Sequence, residues 1–456
     1  MAYRHKSQSR DPEATMRWID IILPEPTIHQ ELDTRLAAAA GLAGEIPALQ
    51  DRYGLDSIRV IEVMTKAGQE LFQGIIASDP EAFSSSRKSK SSDPPALGQP
   101  EHDDLVGYHI VTSTAWVGLP WSWLHNGVGF LYEKHPICSA THGSRLPEGS
   151  LFRPWMQRMT RARYLVGDEG GNTLKETISQ LKSVGATRPE ILFIPGHTDR
   201  KRRKLIYREA ELIEGAVEHG CQGETLLHLD FPLEPVTPSD VIMKGLQYQA
   251  IHFAGPTSQP ARQSDPYGEY WMNCLIEEST LPDAHELEDT LGMEGEVLGV
   301  DPVTSLLDDI VERYENAGSV LESVAVGGGG YDRQATAGSA ARSWLLDDGP
   351  VNPENMERGG TLPPLIFSNS YKALPELGHR FIQSGASTFI GPVVPLFSRP
   401  ARIFAGHCYG AMGKGWGAAS AVWEASQICR RELGEDHPAW LSYGIQGYGQ
   451  LALQYL

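Results

Sequence analysis

The sequence predicts an α/β protein with a doubly wound, mostly parallel sheet that is flanked by helices. Short apolar runs end abruptly at small or turn-forming residues, as buried parallel strands do where they meet loops. Segments with one apolar face at helical spacing lie between these runs. Because strands that alternate with helices pair in parallel through crossover connections, this order favours one doubly wound sheet.

The N-terminal part of the chain is predicted to be mainly helical. Residues 1–56 mix polar segments with an Ala-rich stretch, and we predict a helical appendage there, followed by a main domain over 57–456. From Ile58 apolar residues recur every three or four positions, which predicts a helix with a buried face. The segment 84–100 is rich in Ser, Lys and Pro, has little to bury, and is predicted to be a mobile loop.

Strands and helices alternate along the rest of the chain. The strand candidates are Glu190–Ile194, Leu226–Asp230, the run ending at His252, Leu365–Ser370, Ser387–Val394 and the stretch from Tyr443 to Gly447. Between Tyr108 and Trp123, β-branched and aromatic residues lead to the segment Leu119–Leu124. The helix candidates are Arg208–His219, Pro238–Gly245, Gly378–Ala386, Ala401–Gly410 and Ala418–Leu433. Between the strand that ends at His252 and the strand Leu365–Ser370, residues 257–340 carry Pro, Gly and acidic clusters. We interpret them as a large insertion, because long loops usually have a role of their own.

Composition limits the class of protein. The chain has 456 residues, 39 Lys and Arg against 58 Asp and Glu, and a formal net charge of −19. This excess of negative charge argues against a general affinity for nucleic acid or anionic lipid. The absence of a long apolar run or a signal-like start favours a cytoplasmic protein without membrane attachment. The five cysteines have no Cys-x-x-Cys spacing, so we expect reduced thiols, no metal site and no cofactor.

Two of the predicted strands end in recognisable motifs. Tyr248–Pro256 reads YQAIHFAGP, and Leu365–Ser370 reads LIFSNS. They resemble the His and Cys motifs of the CHAT family of caspase- and separase-like cysteine peptidases, which end in HFAGHG and LSAC. The segments LPWSWL (Leu119–Leu124), WLLDDG (Trp344–Gly349) and HPAW (His437–Trp440) also resemble family passages, in the family's order. The resemblance runs from about Ile58 to the C terminus, without the insertion.

The resemblance implies a caspase-like sheet and a site at two strand ends. In the family the second His is the catalytic base and the Cys is the nucleophile; here Pro256 and Ser370 occupy those positions. Proline has no titratable group, and a serine hydroxyl needs a well-placed base before it can attack. His252 is a possible substitute base, although in the family this first His belongs to the strand, and a hydrogen-bonded core histidine is the alternative.

We therefore predict a catalytically inactive CHAT-like module that regulates or binds other proteins, in a signalling, cell-death or defence system. A protein or peptide partner is expected near the strand-end crevice and the insertion 257–340. One alternative is an active cysteine endopeptidase whose nucleophilic Cys has been replaced by Ser370. A second alternative is a sensor that binds a small ligand or nucleotide in the same crevice without chemistry.

Overall fold

The computed structural model of the chain describes residues 17–25, 28–53, 58–83, 106–142, 190–196, 200–220, 228–230, 236–244, 248–255, 257–258, 343–346, 349–359, 362–370, 373–394, 398–413 and 416–449. The predicted mobile loop 84–100, all but two residues of the predicted insertion 257–340, and Pro256 lie outside these residues.

Twelve strands lie within the described part of the chain. They are β1 (Arg17–Ile22), β2 (Val106–Thr112), β3 (Ile137–Thr141), β4 (Glu190–Pro195), β5 (His228–Asp230), β6 (Ala250–Ala254), β7 (Thr257–Ser258), β8 (Ser343–Leu346), β9 (Gly349–Val351), β10 (Leu365–Asn369), β11 (Thr388–Pro392) and β12 (Tyr443–Gly447). Nine of them form one sheet in the order β1-β2-β3-β12-β11-β10-β6-β4-β5, and β7, β8 and β9 form a second, small sheet.

The nine-stranded sheet consists of two parallel blocks that run in opposite directions. The strands β1, β2, β3 and β12 are parallel to one another, and so are β11, β10, β6, β4 and β5. The single antiparallel contact joins β11 to β12. As a result, the C-terminal ends of β6 and β10 lie on the side of the sheet where β2 and β3 begin.

Helices cover the sheet on both faces. They are α1 (Gln30–Tyr53), α2 (Ile58–Ser78), α3 (Arg200–Gly220), α4 (Pro238–Lys244), α5 (Pro353–Gly359), α6 (His379–Gln383), α7 (Ser398–Gly413) and α8 (Ala418–Leu433). A π-helical turn, Leu374–Gly378, leads into α6. Local sequence explains several of these boundaries: Thr237 and Asp240 exchange hydrogen bonds at the start of α4, and Gly434 adopts a positive φ of 100° after α8.

Side-chain alternation assigns the core residues of the central strands to one face or the other. Phe193, His252 and Phe367 are aligned across β4, β6 and β10, and His252 and Phe367 pack against Tyr409 of α7. On the opposite face, Phe253 stacks on Trp344 at 4.7 Å between ring centroids. Burying an aromatic or large aliphatic side chain contributes about 1.5–3 kcal/mol, so both layers stabilise the packing on the sheet.

The small sheet lies directly after β6. In this sheet β7 pairs antiparallel with β8, placing Thr257 opposite Trp344 and Ser258 opposite Ser343. The chain therefore leaves the described region after β7 and returns to it in the neighbouring strand β8. The segment Trp344–Gly349, which resembles a family passage, lies in the antiparallel hairpin formed by β8 and β9.

The predicted fold class is confirmed: the structure is α/β, with a mostly parallel sheet between helices. The helix predicted from Ile58 is α2, and its buried residues follow the predicted spacing.

The prediction of a helical appendage over residues 1–56 was wrong for residues 17–22, which form the edge strand β1. Trp18, Ile19, Ile21 and Ile22 are strand-forming residues that the surrounding polar sequence obscured. No helix in the described part of the chain is long and apolar enough to cross a membrane.

Candidate functional site

The candidate site lies where β6 and β10 end side by side. The two strands are parallel, and Asn369, the last residue of β10, is aligned with Ala254, the last residue of β6. Ser370 follows directly, and Gly255 occupies the corresponding place after β6. At Gly255 a Cβ atom would lie 2.5 Å from the Cα of Gly196, which follows β4. Glycine is therefore needed for the close approach of the chain segments that follow β6 and β4.

Ser370 is buried, with 1% of its surface exposed. Its hydroxyl lies 2.8 Å from the hydroxyl of Ser368, which also accepts a hydrogen bond from the indole N–H of Trp344 at 2.9 Å. Within the described residues, no imidazole forms a hydrogen bond with Ser370. Because Ser368 and Ser370 are two positions apart, both side chains lie on the face that carries Phe253 and Trp344.

His252 lies on the other face of the sheet and is completely buried. Its Nε2 is 2.7 Å from Oε1 of Glu209, and its Nδ1 is 3.2 Å from the hydroxyl of Tyr409. The ring stacks on Phe193 at 5.0 Å and packs against Phe367 at 4.7 Å. Both ring nitrogens therefore have partners, as a core histidine requires.

Glu209 extends this network to β10 and β12. The same Oε1 atom accepts a hydrogen bond from Nδ2 of Asn369 at 2.7 Å. The hydroxyl of Tyr443, on β12, donates a hydrogen bond to Oδ1 of Asn369. Burial raises the pKa of Tyr443, and the nearby carboxylate of Glu209 adds to the effect. The pKa of Tyr409 is also raised, first by burial and then by Cys408 and Glu209. Both phenols therefore stay neutral and can donate hydrogen bonds.

This network was not predicted from the sequence. Glu209 lies three residues after Ile206 and four before Ile213, at a position where the helical spacing of α3 calls for an apolar side chain. A carboxylate on the apolar face of a helix could have indicated a buried polar network, because buried charged groups are found almost only with hydrogen-bonding or charged partners. Tyr409 and Tyr443 carry no comparable signal, since buried tyrosines are common.

The structure thus separates the predicted site residues. Side chains of adjacent strand residues point to opposite faces, so His252 and Asn369 share one face, while Ser370 lies on the other. Glu209 links Asn369 to His252 through hydrogen bonds to both side chains. Ser370 instead forms a hydrogen bond with Ser368. Pro256, the residue predicted at the position of a catalytic base, lies outside the described residues.

Other reactive groups do not form a second centre in the described part of the chain. Cys138, Cys408 and Cys429 are free and buried. Burial raises the pKa of Cys138 and of Cys429 to about 12, and the pKa of Cys408 is also well above its usual value. Thiols with such pKa values are protonated at neutral pH and are poor nucleophiles. No cluster of three or more potential metal ligands is found in the residues that the structure describes.

Comparisons with known proteins give similarities in structure alone. No family model matches the chain, and no curated protein matches it. The solved structures that are similar include the crystal structure of the Arg-specific cysteine proteinase gingipain R, with a TM-score of 0.40 and 9% sequence identity. That similarity covers 97% of this chain and 79% of the gingipain chain.

Proposed function

We propose that this chain is a catalytically inactive, caspase-like domain of the CHAT type that regulates or binds other proteins. The motifs at the ends of β6 and β10 support the family assignment, because they are adjacent in the sheet as the resemblance implies. The proposal of inactivity rests on one observation: the hydroxyl of Ser370 is hydrogen bonded to Ser368 and is separated by the sheet from the imidazole of His252.

Proton transfer is the step that such a site lacks. A serine hydroxyl is not ionised at neutral pH, so attack on a carbonyl requires a base within hydrogen-bond reach. His252 is held by Glu209 and Tyr409 on the far face, and moving it would break two buried hydrogen bonds. Proline at position 256 offers neither a titratable group nor a backbone N–H.

The decisive experiment is the Ser370→Cys variant. A thiol at this position restores the family's nucleophile without restoring its base, and a positioned base contributes about 10²–10⁴-fold in rate. We expect no proteolysis of casein by this variant and no labelling by a peptidyl acyloxymethyl ketone. Cleavage by the single variant would contradict the proposal and would support the active-peptidase alternative.

Two further variants make the result interpretable. Ser368→Cys places a thiol on the same face, two residues earlier, and serves as the matched control for general thiol reactivity. The double variant Pro256→His/Ser370→Cys supplies both family residues. If the double variant labels with the inhibitor while Ser370→Cys does not, the missing base at position 256 explains the inactivity.

The interaction surface is proposed to be the insertion beside this site. In the small sheet, β7 begins the insertion and β8 follows it, and Trp344 of β8 contacts both Phe253 of β6 and Ser368 of β10. A partner held by the inserted segment would therefore be placed next to the crevice where a peptidase would bind its substrate.

A further inference from the structure

A tight turn over residues 125–130, with the sequence HNGVGF, lies between β2 and β3. His125 and Phe130 form an antiparallel bridge at its base, and their rings pack edge to face at 4.9 Å between centroids. The amide of Asn126 donates to the carbonyl of Gly129 at 3.2 Å, and Gly127 has a positive φ of 93°. These contacts fix the position of the Asn126–Gly127 peptide relative to the His125 ring.

The full sequence contains one Asn-Gly pair, and it lies in this turn. In such a pair the backbone nitrogen of the second residue can attack the side-chain amide carbon of the first. Glycine has no Cβ, so it leaves this approach unhindered. Asn126 and Gly127 are both exposed, and a Cβ atom at Gly127 would meet nothing within 4 Å. The reacting groups are therefore open to water.

The attacking nitrogen has a base beside it. The amide of Gly127 donates a hydrogen bond to Nδ1 of His125 at 3.0 Å. Burial lowers the pKa of His125, although the carboxylate of Glu133 opposes this effect. The imidazole is therefore neutral at neutral pH, and its Nδ1 can accept the amide proton. A general base acts from hydrogen-bond distance, and this contact has that length.

The carbonyl group that would be attacked has two donors beside it. Oδ1 of Asn126 accepts hydrogen bonds from the amide of Val128 at 2.9 Å and from the amide of Gly129 at 3.0 Å. Two fixed amides at one carbonyl oxygen polarise the carbonyl and stabilise the negative charge that develops there during attack, as an oxyanion hole does. The turn thus combines a nucleophile, a base and an oxyanion site within five residues.

We propose that Asn126 is a self-modifying site, at which the turn converts asparagine to aspartate and isoaspartate. Nδ1 of His125 takes the amide proton of Gly127, and the Gly127 nitrogen bonds to Cγ of Asn126. The Cγ–Nδ2 bond breaks, and the amide nitrogen leaves as ammonia with that proton. Water then opens the resulting succinimide ring at either carbonyl. In sum, one amide and one water give one carboxylic acid and one ammonia.

The product changes the surface of the turn. Either product adds a carboxylate at position 126, and in isoaspartate the main chain runs through the side-chain carbon and is one atom longer. The site therefore alters both the charge and the shape of an exposed turn. This inference does not depend on the proposed inactivity of the site at Ser370.

The test compares the full chain when it is folded and when it is unfolded in guanidinium chloride, at the same neutral pH. Peptide mapping by mass spectrometry measures aspartate and isoaspartate at position 126 over time. We expect conversion to be about tenfold or more faster in the folded chain, because the base and the two amides are held in place only there. Asn355, which is followed by Met356, is the internal control and should remain unchanged over the same period.

The variant His125→Ala tests the base. We expect it to slow conversion in the folded chain by about tenfold or more, and added imidazole should restore part of the rate. Loss of structure alone would not produce that rescue, and circular dichroism checks that the variant folds. The comparison of folded and unfolded chains uses the unchanged protein, so it does not depend on how a variant folds. Conversion that is no faster in the folded chain, or an unchanged rate in His125→Ala, would overturn the proposal.

Discussion

At the scale of single residues, Glu209 joins three elements through one carboxylate oxygen. It accepts hydrogen bonds from His252 of β6 and Asn369 of β10, both at 2.7 Å. We expect Glu209→Ala to lower the free energy of unfolding by about 3–5 kcal/mol, because it leaves buried polar groups without their partner. Urea denaturation followed by circular dichroism measures the change.

Two variants on the same helix test this explanation. Glu209→Gln keeps an oxygen acceptor, so we expect a smaller loss of about 1–2 kcal/mol. Glu211→Ala removes an exposed carboxylate two residues away and should change the free energy of unfolding by about 0.5 kcal/mol or less. Equal losses for Glu209→Ala and Glu211→Ala would show that the network contributes nothing specific.

At the scale of elements, the contact between α2 and the buried 3₁₀ turn Trp121–Trp123 depends on one glycine. A Cβ atom on Gly68 of α2 would lie 1.7 Å from the carbonyl oxygen of Trp123. The carbonyl of Gly68 also accepts a hydrogen bond from the amide of His125. Gly68→Ala must push the helix away from this turn, so we expect a loss of about 3 kcal/mol, measured by urea denaturation.

Gly41 of α1 provides the matched control. It is also a helical glycine, but a Cβ atom there would meet nothing within 4 Å. Gly41→Ala should stabilise the protein by about 0.5–1 kcal/mol, since alanine is the better helix former. If both substitutions have the same effect, helix propensity rather than packing decides the outcome at Gly68.

At the scale of the whole molecule, the inserted segment is expected to be separable from the fold. Ser258 of β7 lies directly opposite Ser343 of β8 in an antiparallel pair. Replacing residues 259–342 with Asn-Gly should therefore close a two-residue hairpin, because this turn suits paired strands. We expect cooperative unfolding with little change in Tm, measured by calorimetry.

The same variant tests the proposed interaction surface. A protein partner that binds the unchanged chain through the insertion should no longer bind after the replacement. A replacement chain that cannot fold would contradict the expected separability. Undiminished binding of the partner by a folded replacement chain would contradict the role proposed for the insertion.

The fold was more predictable from the sequence than the site. Local periodicity predicted α2 and most of the central strands, because burial of one helix face or of a whole strand leaves a pattern in neighbouring residues. The edge strand β1 was missed, since its six residues lie in a polar context. The pairing of Glu209 with His252 and Asn369 could not be predicted, as these residues are 43 and 160 positions apart in the chain.

The sequence by itself determined the class of fold, the positions of the two strand-end motifs and the identities of Pro256 and Ser370. These are properties of residue type and short-range spacing. Only the tertiary structure decided which face of the sheet each side chain occupies, and so placed His252 in a network with Glu209 and Ser370 in a contact with Ser368. The physical reason is that strand register fixes the face of each residue, and register is set by long-range pairing across the sheet.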